Sequence, residues 1–142
     1  MATYLITGAS RGIGFELTKQ LLELPSSQVA KVFAVCRSDS SVQLRELIEK
    51  NPDRVIQVLA SVEDLESVRA AAVDVETKLG NAGLDVLVNN AGIQEFSPGG
   101  TKDMPPEQLA HSLDINLIGP HRMISTFLPL LEKGKQKKVI NM

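Results

Sequence analysis

Apolar runs of strand length alternate along this chain with stretches in which apolar residues return every three or four positions, and this alternation restricts the fold more than any other feature. The short runs fall at residues 3–7, 31–36, 55–59, 84–88 and 138–142. Helical periodicity fills 12–24, 41–50, the stretch from Asp64 to the break at Gly80-Asn81, then 107–117 and 120–132. Local chemistry supports these limits: Pro25 ends the first helix, Asn51-Pro52 stops the second, and Asp64 can cap the third. Ile13, Leu17, Leu21 and Leu22 share one side of the first helix. Val42, Leu44, Leu47 and Ile48 do so in the second, and Leu65, Val68, Ala72, Val75 and Leu79 in the third. The Val-rich second run reads as a strand buried on both faces. Strands separated by helices predict a parallel sheet covered on both sides, an α/β doubly wound architecture in a single domain over residues 1–142. Ligand is expected at the carboxyl ends of the first and fourth strands. The sequence stops inside the fifth run, so the sheet is expected to be truncated there, with an apolar edge open to pairing.

The first strand runs into Thr7-Gly8-Ala9-Ser10-Arg11-Gly12-Ile13-Gly14, and a helix follows. Gly8 permits a tight turn, Gly12 lets backbone approach a pyrophosphate, and Gly14 lets the helix pack on the sheet. A bulky side chain at 14 is expected to crowd the pyrophosphate. The free N–H groups and positive end of the helix dipole face the same place. With a strand before it, a helix after it and further strand–helix units behind, this is the phosphate turn of a Rossmann-type dinucleotide domain.

Composition removes other classes. With 15 basic and 17 acidic residues the net charge is −2, which gives no basic face for nucleic acid. The lysines at 133, 135, 137 and 138 read as a solvated loop. The single cysteine, Cys36, excludes an internal disulfide, suits a reducing compartment and reads as a small buried strand residue. No run is long enough to span a membrane, and no secretory leader precedes the first strand, so a cytoplasmic location is expected. His111 and His121 have no Cys, Asp or Glu at metal-ligand spacing, so no metal is expected.

The spacing of Thr7-Gly8-Ala9-Ser10-Arg11-Gly12-Ile13-Gly14 resembles the short-chain dehydrogenase/reductase signature Thr-Gly-x-x-x-Gly-Ile-Gly. Asn89-Asn90-Ala91-Gly92, after the fourth strand, resembles a second signature of that family. Asn116, within Leu113-Asp114-Ile115-Asn116-Leu117, stands where members carry a catalytic-site asparagine that helps relay protons through a water. The resemblance implies a nicotinamide dinucleotide held by Gly8, Ser10, Arg11, Gly12, Ile13, Gly14, Asn89, Asn90, Ala91 and Gly92. It further implies hydride transfer to or from a small carbonyl or alcohol substrate. Ser61, with Val62 beside it, replaces the aspartate that in the family helps hold adenine, so adenine binding is expected to lean on backbone and apolar contact.

The second strand ends in Cys36-Arg37-Ser38, with no acid before Asp39 to accept hydrogen bonds from ribose hydroxyls. Arg37, with Arg11 nearby, can pair with a 2′-phosphate, so NADP(H) is the preferred cofactor and NAD(H) the alternative. The family's tyrosine acid/base, the lysine that follows it and the serine that polarises the substrate have no counterparts here. The one tyrosine, Tyr4, lies in the first strand. The resemblance therefore describes a fragment or truncated product, inactive alone or completed by a partner chain, with homo-oligomers left open. The alternative is a non-catalytic dinucleotide-binding sensor or regulatory subunit.

Overall fold

The apolar runs become strands of one parallel sheet, and helices bury both faces of its central strands. The computed structural model describes residues 1–142, the side chain of Thr101 excepted. The strands are β1 (Ala2–Thr7), β2 (Val29–Cys36), β3 (Val55–Leu59), β4 (Val86–Asn89) and β5 (Lys138–Asn141), in the order β3-β2-β1-β4-β5. The helices are α1 (Gly12–Glu23), α2 (Val42–Lys50), α3 (Leu65–Leu79), α4 (Pro106–Leu113) and α5 (Gly119–Lys133). Ile6, Val32, Ala34, Val86 and Val88 face Leu21, Leu22 and Leu44 of α1 and α2. On the other side Leu5, Phe33, Val35 and Leu87 face Val68 and Val75 of α3 and Met123 and Phe127 of α5. This is the doubly wound Rossmann-type sheet that the alternation predicts. No helix among the described residues is long and apolar enough to cross a membrane.

Several expectations are corrected. Ile13, Val42 and Leu65 do not join the buried stripes: they are 66 %, 64 % and 36 % exposed, each within the first two residues of its helix. The stripe of α1 begins instead at Gly14 and continues through Thr18, Leu21 and Leu22. Leu84 falls outside β4 because its N–H bonds to the carbonyl of Leu130 in α5, not to a strand. The stretches 107–117 and 120–132 are not two separate helices. α4 runs into α5 through a π-helical turn, Asp114–Ile118, in which the N–H of Gly119 reaches back to the carbonyl of Asp114. Pro120 has no N–H to offer the carbonyl of Asn116, and a widened turn accommodates that missing donor without breaking the helix. β5 pairs with β4 alone, and Val139 and Ile140 stay about two-fifths exposed.

One buried carboxylate ties the amino-terminal side of the sheet. Asp85 is 5 % exposed, and its Oδ2 accepts from the N–H of Thr3 at 2.8 Å and from the Thr3 hydroxyl at 3.2 Å. Its Oδ1 accepts from the N–H groups of Lys135 at 2.7 Å and Gln136 at 3.2 Å, in the turn between α5 and β5. Burial by itself pushes this carboxyl up. The N–H donors of Thr3, Lys135 and Gln136 and the Thr3 hydroxyl outweigh that and hold it below the ordinary aspartate value.

Asp85→Asn places an NH₂ among these donors and should cost about 2–3 kcal/mol, a fall in Tm of roughly 6–10 °C by thermal melting. Because the folded-state pKa is lowered, the native stabilisation is fully present at neutral pH and is lost as pH falls through that value. The gap between native chain and variant should therefore narrow below about pH 4. A pH-independent gap would contradict this role.

Candidate functional site

The carboxyl ends of β1 and β4 are laced together by side chains of both motifs. The Thr7 hydroxyl donates to the carbonyl of Val88 at 3.4 Å and accepts from the N–H groups of Asn90 at 3.0 Å and Ala91 at 2.9 Å. The Asn90 amide returns to the carbonyls of Thr7 at 2.9 Å and Gly8 at 3.4 Å. Gly8 has φ +69°, and a Cβ there would lie 3.0 Å from both Ala91 Cα and Asn90 Nδ2. Gly12, at φ +58°, has nothing within 4 Å of where its Cβ would be, so its backbone is open to a ligand. The carbonyl of Ser10 accepts from the Ser41 hydroxyl at 2.7 Å and the Gln43 amide at 2.9 Å, which anchors the turn to α2.

α1 starts without a side-chain cap and with no acid in its first turn, leaving its free N–H groups and dipole uncompensated. Gly12, the first residue of α1, borders a cleft of about 250 Å³. Of the sequence candidates, Gly8, Ser10, Arg11, Gly12, Arg37, Val62, Asn90, Ala91 and Gly92 line it. The donor set fits a dinucleotide: open glycine backbone and an uncapped helix for phosphates, two guanidinium groups, and apolar walls from Val35, Ala60, Val62 and Ile93 for a base. Val35, Ala60, Ile93 and Ile115 escaped the sequence reading because apolar wall residues carry no motif, and Glu63 because it lies two residues past the motif position. Cys36 also lines the cleft, and burial, the largest influence, pushes its thiol up, which disfavours the thiolate.

Ile13, Gly14, Ser61, Asn89 and Asn116 do not line the cleft. Ser61 donates its hydroxyl to Glu63 at 3.3 Å and its N–H to Ser67 at 3.0 Å. The carboxylate at this wall is Glu63, two residues past the expected position. The Asn89 amide donates to Asn141 of β5 at 2.9 Å. Asn116 Oδ1 accepts from the N–H of Ile93 at 2.9 Å while its Nδ2 donates to the Ile93 carbonyl at 2.7 Å, a reciprocal pair that fixes this piece of wall. Gly14 is needed for packing: its Cβ would run into the Gly8 carbonyl oxygen and lie 2.5 Å from Asn90 Nδ2. A side chain at 14 therefore collides with the turn itself, and the expectation that it crowds pyrophosphate is corrected.

Behind the wall at Val62 and Glu63 lies an acidic, internally paired cluster. Arg122 bonds both oxygens of Asp114, at 2.7 and 3.2 Å, and reaches the carbonyl of Val62 at 3.2 Å. These bonds hold the Asp114 carboxyl below its ordinary value. His111 contacts Glu95 and Glu63, acids far from it in sequence, and its bonds to Glu95 first and Glu63 second raise its pKa. Among the described residues no group of three or more His, Cys, Asp or Glu is placed to hold a metal ion.

With this geometry established, comparison with known proteins identifies its class: the short chain dehydrogenase family model matches residues 2–142, and the chain belongs to the short-chain dehydrogenase/reductase family, an oxidoreductase family that uses nicotinamide dinucleotides. It is 38 % identical to the short-chain dehydrogenase/reductase atnB of Arthrinium sp., covering 99 % of this chain and 54 % of that protein. It is 36 % identical to retinol dehydrogenase 16 of Mus musculus, covering 94 % of this chain and 40 % of the relative. Among solved structures, the NADPH-bound carbonyl reductase from chicken fatty liver superposes with TM-score 0.88 at 32 % identity, covering 99 % of this chain and 58 % of that one. The chain thus spans about half the length, or less, of these curated relatives.

The two glycines should separate by experiment. Gly12→Ala costs about 1–2 kcal/mol of left-handed strain and leaves packing intact. Gly14→Ala should lower Tm further, because backbone must move, and should abolish dinucleotide binding in a titration. Equal melting of the two variants would contradict the packing role of Gly14.

Proposed function

We propose that the cleft binds NADP(H) in preference to NAD(H), and that these residues are the cofactor-binding part of a carbonyl reductase or alcohol dehydrogenase. The observation that carries the preference is the groove opening beside the cleft, where Arg11 and Arg37 share a lining with Ser38, Ser40 and Ser41. Neither arginine forms an ion pair among the described residues. A guanidinium fork with hydroxyls beside it suits a phosphate dianion, and β2 ends at Cys36 without an acid for ribose hydroxyls. Glu46, exposed, is the carboxylate in that groove lining. The NADPH in the chicken-liver carbonyl reductase structure supports the same reading.

When bound, the nicotinamide supplies or accepts a hydride at its C4. The residues of this chain bind and orient. Gly8, Gly12 and the start of α1 hold the pyrophosphate, Arg11 and Arg37 the 2′-phosphate, and Ala60 and Val62 the adenine. Asn90, Ala91 and Gly92 shape the turn from β4, and Asn116 serves the chemistry by fixing Ile93, since both polar atoms of its side chain are engaged there. One observation favours a second reading, dinucleotide binding without catalysis: the single tyrosine, Tyr4, sits in β1 and does not line the cleft. Oxidation of NADPH by the 142-residue chain in the presence of an aromatic aldehyde would remove that reading.

Titration of the chain with NADPH and NADH should show tighter binding of NADPH. Arg37→Asp should weaken NADPH roughly ten- to hundredfold, the loss of one charge-assisted contact and the gain of a repulsion, while leaving NADH unchanged or improved. A ratio of affinities that does not move would overturn the cofactor preference.

A further inference from the structure

His111 reaches from α4 to two carboxylates carried by two different loops of the cleft rim. Its Nε2 lies 2.8 Å from Oε1 of Glu63, between β3 and α3, and its Nδ1 lies 2.7 Å from Oε1 of Glu95, between β4 and α4. An ionised carboxylate only accepts hydrogen bonds, and a neutral imidazole donates from one nitrogen. Both contacts are therefore satisfied together by the imidazolium and not by either neutral tautomer.

We propose that His111 is a proton-operated clasp on the dinucleotide site: charged, it draws the two loops into the wall that grips the nucleotide; neutral, it releases one of them. This rests on the cleft being a dinucleotide site. Glu63 and its neighbour Val62 line the cleft from one loop, and Gly92 and Ile93 line it from the other. The bases of both loops are fixed elsewhere, Val62 by Arg122 and Ile93 by Asn116. His111 is the link between the loops themselves. A wall assembled in one protonation state and loosened in the other changes the fraction of binding-competent protein, and hence the apparent affinity.

The surrounding charges set the direction. Glu63 and Glu95 touch the ring, Asp114 lies within reach of its charge, and Asp64 and Arg122 stand beyond Glu63. Three acids act on the ring, one of them already paired with Arg122, and the ring is held above its ordinary value chiefly by the bonds to Glu95 and Glu63. With the folded-state pKa raised, the clasp is closed below that value and opens as pH rises through it. The ring's side chain is 47 % exposed, so solvent screens the pairs and the effect is modest.

The test is the Kd of NADP⁺ for the 142-residue chain and for His111→Gln, from about pH 6 to about pH 9 at low salt. The 2′-phosphate titrates in both, so the variant supplies the baseline. The native chain should lose an additional factor of about two to five as pH rises. The ring C–H resonance of His111 should titrate above the ordinary histidine value, move down in Glu63→Gln and in Glu95→Gln, and move up when NADP⁺ binds, as linkage requires. Superimposable pH profiles, or a His111 pKa indifferent to nucleotide, would overturn the clasp while leaving the dinucleotide site standing. No nucleotide binding at any pH would overturn the site itself, and the clasp with it.

Discussion

The seam between β1 and β4 is the contact on which the rest of this structure depends. The sheet grows away from it in both directions, β2 and β3 on one side and β5 on the other, so it is the point where strand order reverses. β1 carries a threonine near each end of its apolar stretch, and each hydroxyl crosses the seam. Thr3 bonds the Gly83 carbonyl and Asp85 at one end, and Thr7 bonds Val88, Asn90 and Ala91 at the other. The first end is a structural knot and the second holds the phosphate turn open. The two sequence motifs are consequently one object: the Asn90 amide rests on the carbonyls of Thr7 and Gly8, and neither segment keeps its shape without the other.

Around that seam the charges divide. The cationic end, Arg11 and Arg37 beside the uncapped start of α1, has no carboxylate paired with it among the described residues. The acids of the rim are engaged from within, Asp114 by Arg122 and Glu63 and Glu95 by the single His111. An anion approaching the cleft therefore meets two unpaired guanidinium groups, with Glu46 the carboxylate in their groove, while the acids of the rim are engaged.

Features dictated by neighbours in sequence were legible, and features made by distant partners were not. The strands, the glycine turn and the Asp64 cap follow from periodicity and from residues a few positions apart. The Arg54 guanidinium, which gathers the carbonyls of Leu22, Leu24 and Val29, gives no local sign of doing so. Nor does Asp85, a polar residue within the predicted 84–88 run, whose four donors come from distant segments. Spacing along the chain gives His111 no acidic partner, because both of its carboxylates come from other loops. In the site, Ser61 matched a motif position while the carboxylate at the wall is Glu63, because loop curvature, not order along the chain, decides which side chain faces the cleft.

The π-helical turn between α4 and α5 sets the phase of one helix against the other. In an unbroken α-helix Leu109 and Met123, like Leu113 and Phe127, would point within about 40° of each other, since fourteen residues make nearly four turns. One additional residue in a turn rotates everything before it by about 100° relative to everything after. Accordingly Met123 and Phe127 are fully buried against the sheet, while Leu109 and Leu113 are about half exposed. α5 is thereby committed to the core, and α4 is turned so that its His111 meets the rim of the cleft. The same continuous rod of backbone supports the sheet with one half and addresses the ligand-binding edge with the other.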